Sequence, residues 1–126
     1  MSQYFTKAEV SCGCGCGQVP TANMLNVADR IRTDWGGPLR VTSGARCKEY
    51  TRHLKMHGIP AADHSAHIEG LALDLLPVDG RIDLFHEFLI DNAKRFNVWI
   101  EDPEYTKSWA HVQIRPIAGE KRVFIP

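Results

Sequence analysis

The chain has no surplus of either charge: 15 basic residues stand against 15 acidic ones. A nucleic-acid or membrane-surface binder works through excess positive charge, so neither partner is expected. No apolar run approaches the roughly 20 residues needed to cross a bilayer. The opening Met1-Ser2-Gln3-Tyr4-Phe5 has no basic segment and no apolar one. A signal peptide is therefore not expected, and synthesis in a cytoplasm is. Repeats, linkers and low-complexity tracts are missing too. A length of 126 residues suits one domain, 1–126, with a core of its own, and is too short for two.

What the chain does have is concentrated in Ser65-Ala66-His67-Ile68-Glu69-Gly70-Leu71-Ala72-Leu73-Asp74. From Leu71 to Leu75, leucine takes every odd position, and Ala72 and Asp74 take the even ones. That alternation predicts a strand with leucines toward a core and Asp74 on the other face. Ala72 leaves room beside Asp74. Gly70 permits a sharp turn, so His67 can fold back beside Asp74. An imidazole and a carboxylate are two of the three protein ligands of a catalytic zinc site. The plainer alternative is a glycine turn followed by a strand that carries a solvated aspartate.

The flanking chain supplies the remaining elements. Thr6-Lys7-Ala8-Glu9 fits a capping box at the start of a short helix. Cys12-Gly13-Cys14-Gly15-Cys16-Gly17 admits a metal cluster with Cys47 as fourth ligand. Structural zinc motifs usually leave about two to four residues between paired cysteines, and this run leaves one. Reduced cytosolic thiols disfavour disulfides. The reading preferred is therefore a glycine-rich loop that packs small side chains. Pro20 to Asp34 predicts a helix capped by Thr21, with Met24, Leu25, Val27, Ala28 and Ile31 as its apolar stripe.

A short strand, Leu39 to Thr42, leads into Ser43-Gly44-Ala45-Arg46, whose arginine either points into a cleft or lies on the surface. Lys48 to His57 predicts a helix ending at Gly58-Ile59-Pro60, and Ala61 to Ala66 a loop. His64 in that loop is read as a supporting or surface histidine. Ile82 to Phe96 suits an amphipathic helix, on which His86 is a surface or packing residue. Asn97 to Glu101 and Trp109 to Arg115 predict two strands of a hairpin. With Val98, Ile100, Val112 and Ile114 toward the core, Trp99, Glu101, His111 and Gln113 share the opposite face. Parity thus lets His67, Asp74 and His111 converge.

With these residues assembled, the chain resembles the zinc D-Ala-D-Ala carboxypeptidase and endopeptidase family, of the peptidase M15 type. Ser65-x-His67-x-x-Gly70-x-Ala72-x-Asp74 matches that family's Ser-x-His-x-x-Gly-x-Ala-x-Asp. Ser43-Gly44-Ala45-Arg46 resembles its Ser-Gly-Tyr-Arg, and Trp109-Ala110-His111 its aromatic-x-His. The opening Tyr4-Phe5-Thr6-Lys7-Ala8-Glu9 and the cysteine-glycine run are similar to small phage and prophage members.

The resemblance implies an α+β fold of the hedgehog/DD-peptidase kind, a small antiparallel sheet flanked by helices. It implies Zn2+ held by His67, Asp74 and His111, with Arg46 over the substrate carbonyl. The activity implied is hydrolysis of peptidoglycan peptides, by a monomer that acts on the cell wall once released. A carboxylate shortly before the last histidine serves the family as general base. Relatives often place it three residues before that histidine, where this chain has Ser108. Glu101, Asp102 and Glu104 are the candidates, and parity favours Glu101 because it shares the face of His111.

Two rival readings stand beside this one. A non-catalytic zinc-binding module, in a virion or attached to a wall, would account for Ser108. A cysteine-centred metal or redox protein would be built on Cys12, Cys14 and Cys16.

Overall fold

Side-chain caps start the first two helices. Thr6 caps α1 (Lys7–Val10) through a reciprocal capping box with Glu9, whose backbone N–H donates to the Thr6 hydroxyl at 3.2 Å. Thr21 caps α2 (Ala22–Trp35) by accepting from the Met24 N–H, and Gly36 ends it in the left-handed conformation at φ 80°. Pro20 and Thr21, expected inside this helix, lie ahead of it. The structure, a computed structural model, describes residues 2–59 and 65–126. Pro60, His64 and the first part of the expected loop, 61–64, fall outside the described residues.

Among the described residues, five strands follow the order β1-β2-β4-β3-β5. They are β1 (Leu39–Ser43), β2 (Ala72–Pro77), β3 (Trp99–Glu101), β4 (Ala110–Gln113) and β5 (Val123–Phe124). Helix α3 (Lys48–Met56) lies between β1 and β2 in the chain, and α4 (Ile82–Phe96) between β2 and β3. Neighbouring strands are antiparallel except at one edge, where β5 runs parallel to β3. The expected α+β architecture is present; the parallel edge was not anticipated. A two-residue strand carries no periodicity from which to predict it.

The core lies on one face of the sheet. Leu73, Leu75, Ile100 and Val112 face Met24, Ala28 and Ile31 of α2 and Phe85, Leu89, Ala93 and Phe96 of α4. Sixteen buried apolar residues make this one cluster, consistent with a single small domain. Helix α4 has the expected bounds. Leu84 is 51% exposed, while His86 is buried and hydrogen-bonds the Trp109 carbonyl through Nε2 at 2.8 Å. That bond ties α4 to the start of β4. Asn97 takes a left-handed φ of 57° as the cap of α4, so β3 begins two residues later than expected.

Candidate metal centre

The opposite face of the sheet carries polar side chains because strand alternation sends them there. Leu73 and Leu75 enter the core, so Asp74 between them points away from it. Val112 enters the core, so His111 does the same from β4. The β2–β4 register pairs Asp74 directly with His111. Continuing the β3–β4 register from Ile100↔Val112 brings Glu101 opposite His111.

His67 arrives by a turn. Gly70 adopts φ 74°, a conformation that L side chains rarely take, and its N–H closes on the His67 carbonyl at 3.2 Å. Thr21 N–H donates to the Gly70 carbonyl at 2.9 Å, which fastens this turn to the start of α2.

The three side chains meet. His67 Nε2 lies 3.2 Å from Asp74 Oδ1, and His111 Nδ1 lies 2.9 Å from the same oxygen. Their donor atoms all fall within 4.8 Å of one another. Metal–ligand distances of about 2.0–2.2 Å give tetrahedral edges of roughly 3.3–3.6 Å, close to these separations.

The remaining ring nitrogens decide what the meeting means. His67 Nδ1 sits 2.8 Å from the Gly44 carbonyl, which can only accept, so Nδ1 carries hydrogen. Gln113 Nε2 donates to the Arg115 carbonyl at 2.8 Å, so its Oε1 faces His111 Nε2 at 2.7 Å and accepts from it. In neutral rings, His67 Nε2 and His111 Nδ1 are then bare lone pairs aimed at a carboxylate. That arrangement repels unless something positive sits between them.

The electrostatics agree. Burial opposes the ionised Asp74 carboxyl, but the adjoining imidazoles of His111 and His67 hold its pKa well below the usual range. Burial pushes His67 down. Burial also works against His111, yet the hydrogen bond and charge of Asp74 raise it overall. The lone pairs of His67 Nε2 and His111 Nδ1 thus call for a positive species between them and Asp74. A divalent cation meets that demand, and this donor set, two imidazoles and a carboxylate with oriented outer partners, suits zinc.

Two charged residues flank the cluster. Glu101 Oε2 lies 3.8 Å from His111 Nδ1, and burial raises the Glu101 pKa, helped by Asp74 and opposed by His111. Arg46 is half-buried, feels the charge of Asp74, and has an Nε without a hydrogen-bond partner among the described residues. Its backbone N–H donates to the His67 carbonyl at 3.1 Å. The other carboxylates are turned elsewhere. Asp102 caps the turn at Pro103–Tyr105 by accepting from the Glu104 N–H, and Glu104 is exposed beside Lys107 at 4.0 Å. Ser108 is exposed.

Trp99 lies partly buried under the Arg122 guanidinium, 4.1 Å from its ring centroid. Gly44 and Phe124 were not foreseen as parts of the centre, and Gln113 was placed on its face without a role toward His111. Gln113 was legible, since it follows His111 at the strand period of two. Phe124 of β5, whose ring stands 5.9 Å from that of His111, carried no signal.

Fold and site together define a small α+β domain with a buried His–Asp–His centre beside a carboxylate and an arginine. The family described as Peptidase M15 matches residues 3–112, a stretch that contains all of these groups. The chain belongs to the Peptidase M15 family, which makes it a hydrolase by lineage and its expected substrate a peptide. No match was found among curated proteins.

Proposed function

We propose that the chain is a zinc metallopeptidase that cleaves peptide bonds of bacterial peptidoglycan, in stem or cross-link peptides that contain D-residues. The convergence of His67, Asp74 and His111 on one point, with Glu101 beside it, carries this reading. The motif resemblance to D-Ala-D-Ala carboxypeptidases and endopeptidases supplies the substrate class. A phage lysis enzyme, released to the wall, is the setting that the similarity to small phage members favours.

His67 Nε2, Asp74 Oδ1 and His111 Nδ1 would hold the ion. When bound, zinc lowers the pKa of its water to about 7 and polarises a carbonyl. Glu101 acts as the base: its carboxylate takes the proton of the attacking water and passes it to the departing amine. Burial favours that transfer by making the carboxylate more basic than an ordinary glutamate. Arg46 holds the oxygen of the scissile carbonyl and stabilises its negative charge as the tetrahedral intermediate forms. Gly44 and Gln113 keep both imidazoles in the tautomer that presents the correct nitrogen.

Mass spectrometry of purified peptidoglycan after digestion, with and without chelator, tests this. New fragments that vanish with chelator are the expected result, and their masses name the bond. A second reading, a zinc-binding module without turnover, draws on the exposed Ser108 where relatives carry an acid. Bound zinc with no fragments from the wild type would establish that reading instead.

A further inference from the structure

The cysteine-glycine run takes no part in the centre above, yet it does not behave as a simple packing loop. Cys12 Sγ lies 3.4 Å from Cys14 Sγ and 3.7 Å from Cys47 Sγ, and the Cys14–Cys47 separation is 3.5 Å. Cys16 joins them, with all four sulfurs within 4.8 Å of one another. A metal–thiolate distance of about 2.3 Å gives tetrahedral S···S edges of roughly 3.8 Å. The observed spacings lie close to that figure, and all four thiols are free.

The local structure is built to bring them there. Cys-Gly alternation sets the three thiols of the loop at every second position. Gly15 and Gly17, at φ 80° and 88°, then curl the loop. Its ends are joined by the Cys12 N–H donating to the Gln18 carbonyl at 2.9 Å. Gly13 passes so near Tyr50 that a Cβ there would stand 2.7 Å from the phenol oxygen. The fourth thiol comes from the start of α3, where Cys47 is the N-cap and accepts from the Tyr50 N–H at 3.3 Å. Cys47 N–H in turn donates to Cys12 Sγ at 3.4 Å. Backbone donors aimed at sulfur, and the positive end of a nine-residue helix, lie at this point. Cys12 and Cys47 are buried while Cys14 and Cys16 are exposed, which leaves an entry path.

We propose that Cys12, Cys14, Cys16 and Cys47 form a second, closed metal site that holds a structural zinc ion and fastens the N-terminal loop to the start of α3. Binding releases the thiol protons to solvent and moves no electrons. The one-residue spacing that weighed against a cluster in the sequence is overcome because glycines bend the loop and a distant residue closes the set.

The test is metal analysis of protein purified under reducing conditions, by inductively coupled plasma mass spectrometry. The wild type is expected to carry about two zinc ions per chain, and a Cys14→Ser/Cys16→Ser variant about one. Both positions are exposed, so the fold should tolerate the change. A His67→Ala/His111→Ala variant should also retain about one ion. Loaded with cobalt, it should keep an intense thiolate-to-cobalt charge-transfer band that the cysteine variant lacks. Zinc content unchanged by the cysteine substitutions would overturn the proposal. So would unreduced peptide maps that show these cysteines joined as disulfides. The peptidase reading uses other donors, so a failure to cleave peptidoglycan would leave this result standing.

Discussion

The two donor clusters are made by opposite means. His111 and Asp74 stand on paired strands whose inner faces are locked into the core, so their meeting is enforced by sheet register. The outer ring nitrogens of His67 and His111 are held by further hydrogen bonds, and His67, Asp74 and His111 are all buried. The four thiols stand on a curled glycine loop and a helix start, with two of them open to solvent. One cluster is rigid before any ligand arrives. The other gathers its sulfurs on a segment with little apolar anchoring beyond Val10 and Cys12. A preorganised site suits chemistry, because reacting groups must be in place before the reaction begins. A loop-borne site suits a clasp, because the ion itself then contributes stability.

The sharpest way to break this contrast is at Glu101. Glu101→Gln should lower kcat by about 10²–10⁴-fold with zinc content unchanged at both clusters. The wild-type pH profile should show an acid limb where the rate falls with falling pH as Glu101 takes up a proton. Its pKa is raised by burial, so this limb lies above the range of an ordinary glutamate, and Glu101→Gln should lack it.

Arg46→Ala should cost about 10²–10³-fold in kcat, again with zinc retained, as measured on the same peptidoglycan fragments. Gln113→Ala releases the His111 ring and should weaken zinc at the histidine centre by about 10–100-fold, read by chelator competition. The cobalt–thiolate band should not move in that variant. The smallest effect on kcat belongs to Cys14→Ser/Cys16→Ser. The arginine loop remains held by the Arg46 N–H on the His67 carbonyl and by Gln18 Nε2 on the Arg46 carbonyl. Its effect should appear as a lower thermal midpoint, and a large loss of kcat would show that the clasp also shapes the catalytic side.

Much of the catalytic side was legible because it rests on short-range rules. Alternating leucines gave β2, strand parity put Glu101, His111 and Gln113 together, and cap signals placed α2 within two residues. The meeting of His67, Asp74 and His111 followed from one motif and one parity argument. The gathering of the four thiols could not be secured from the sequence, because it depends on residue 47 returning to the loop at 12–16 and no periodicity encodes that approach. His86 takes the packing alternative of the two allowed for it, a choice that apolar periodicity alone does not settle. Strand β5 gave no warning. It is two residues long and, among the described residues, pairs with β3.

Asp74, His111 and Glu101 occupy three adjacent strands, β2, β4 and β3. The distances between them are therefore set by the spacing of hydrogen-bonded strands, about 4.8 Å, and not by the loops that join those strands. Residues 78–81 and 102–109 can lengthen, shorten or be exchanged while this ruler stays unchanged. For an engineer, those two connections are the places to graft new wall-binding or specificity segments, because insertions there leave the spacing of the reactive groups as it is.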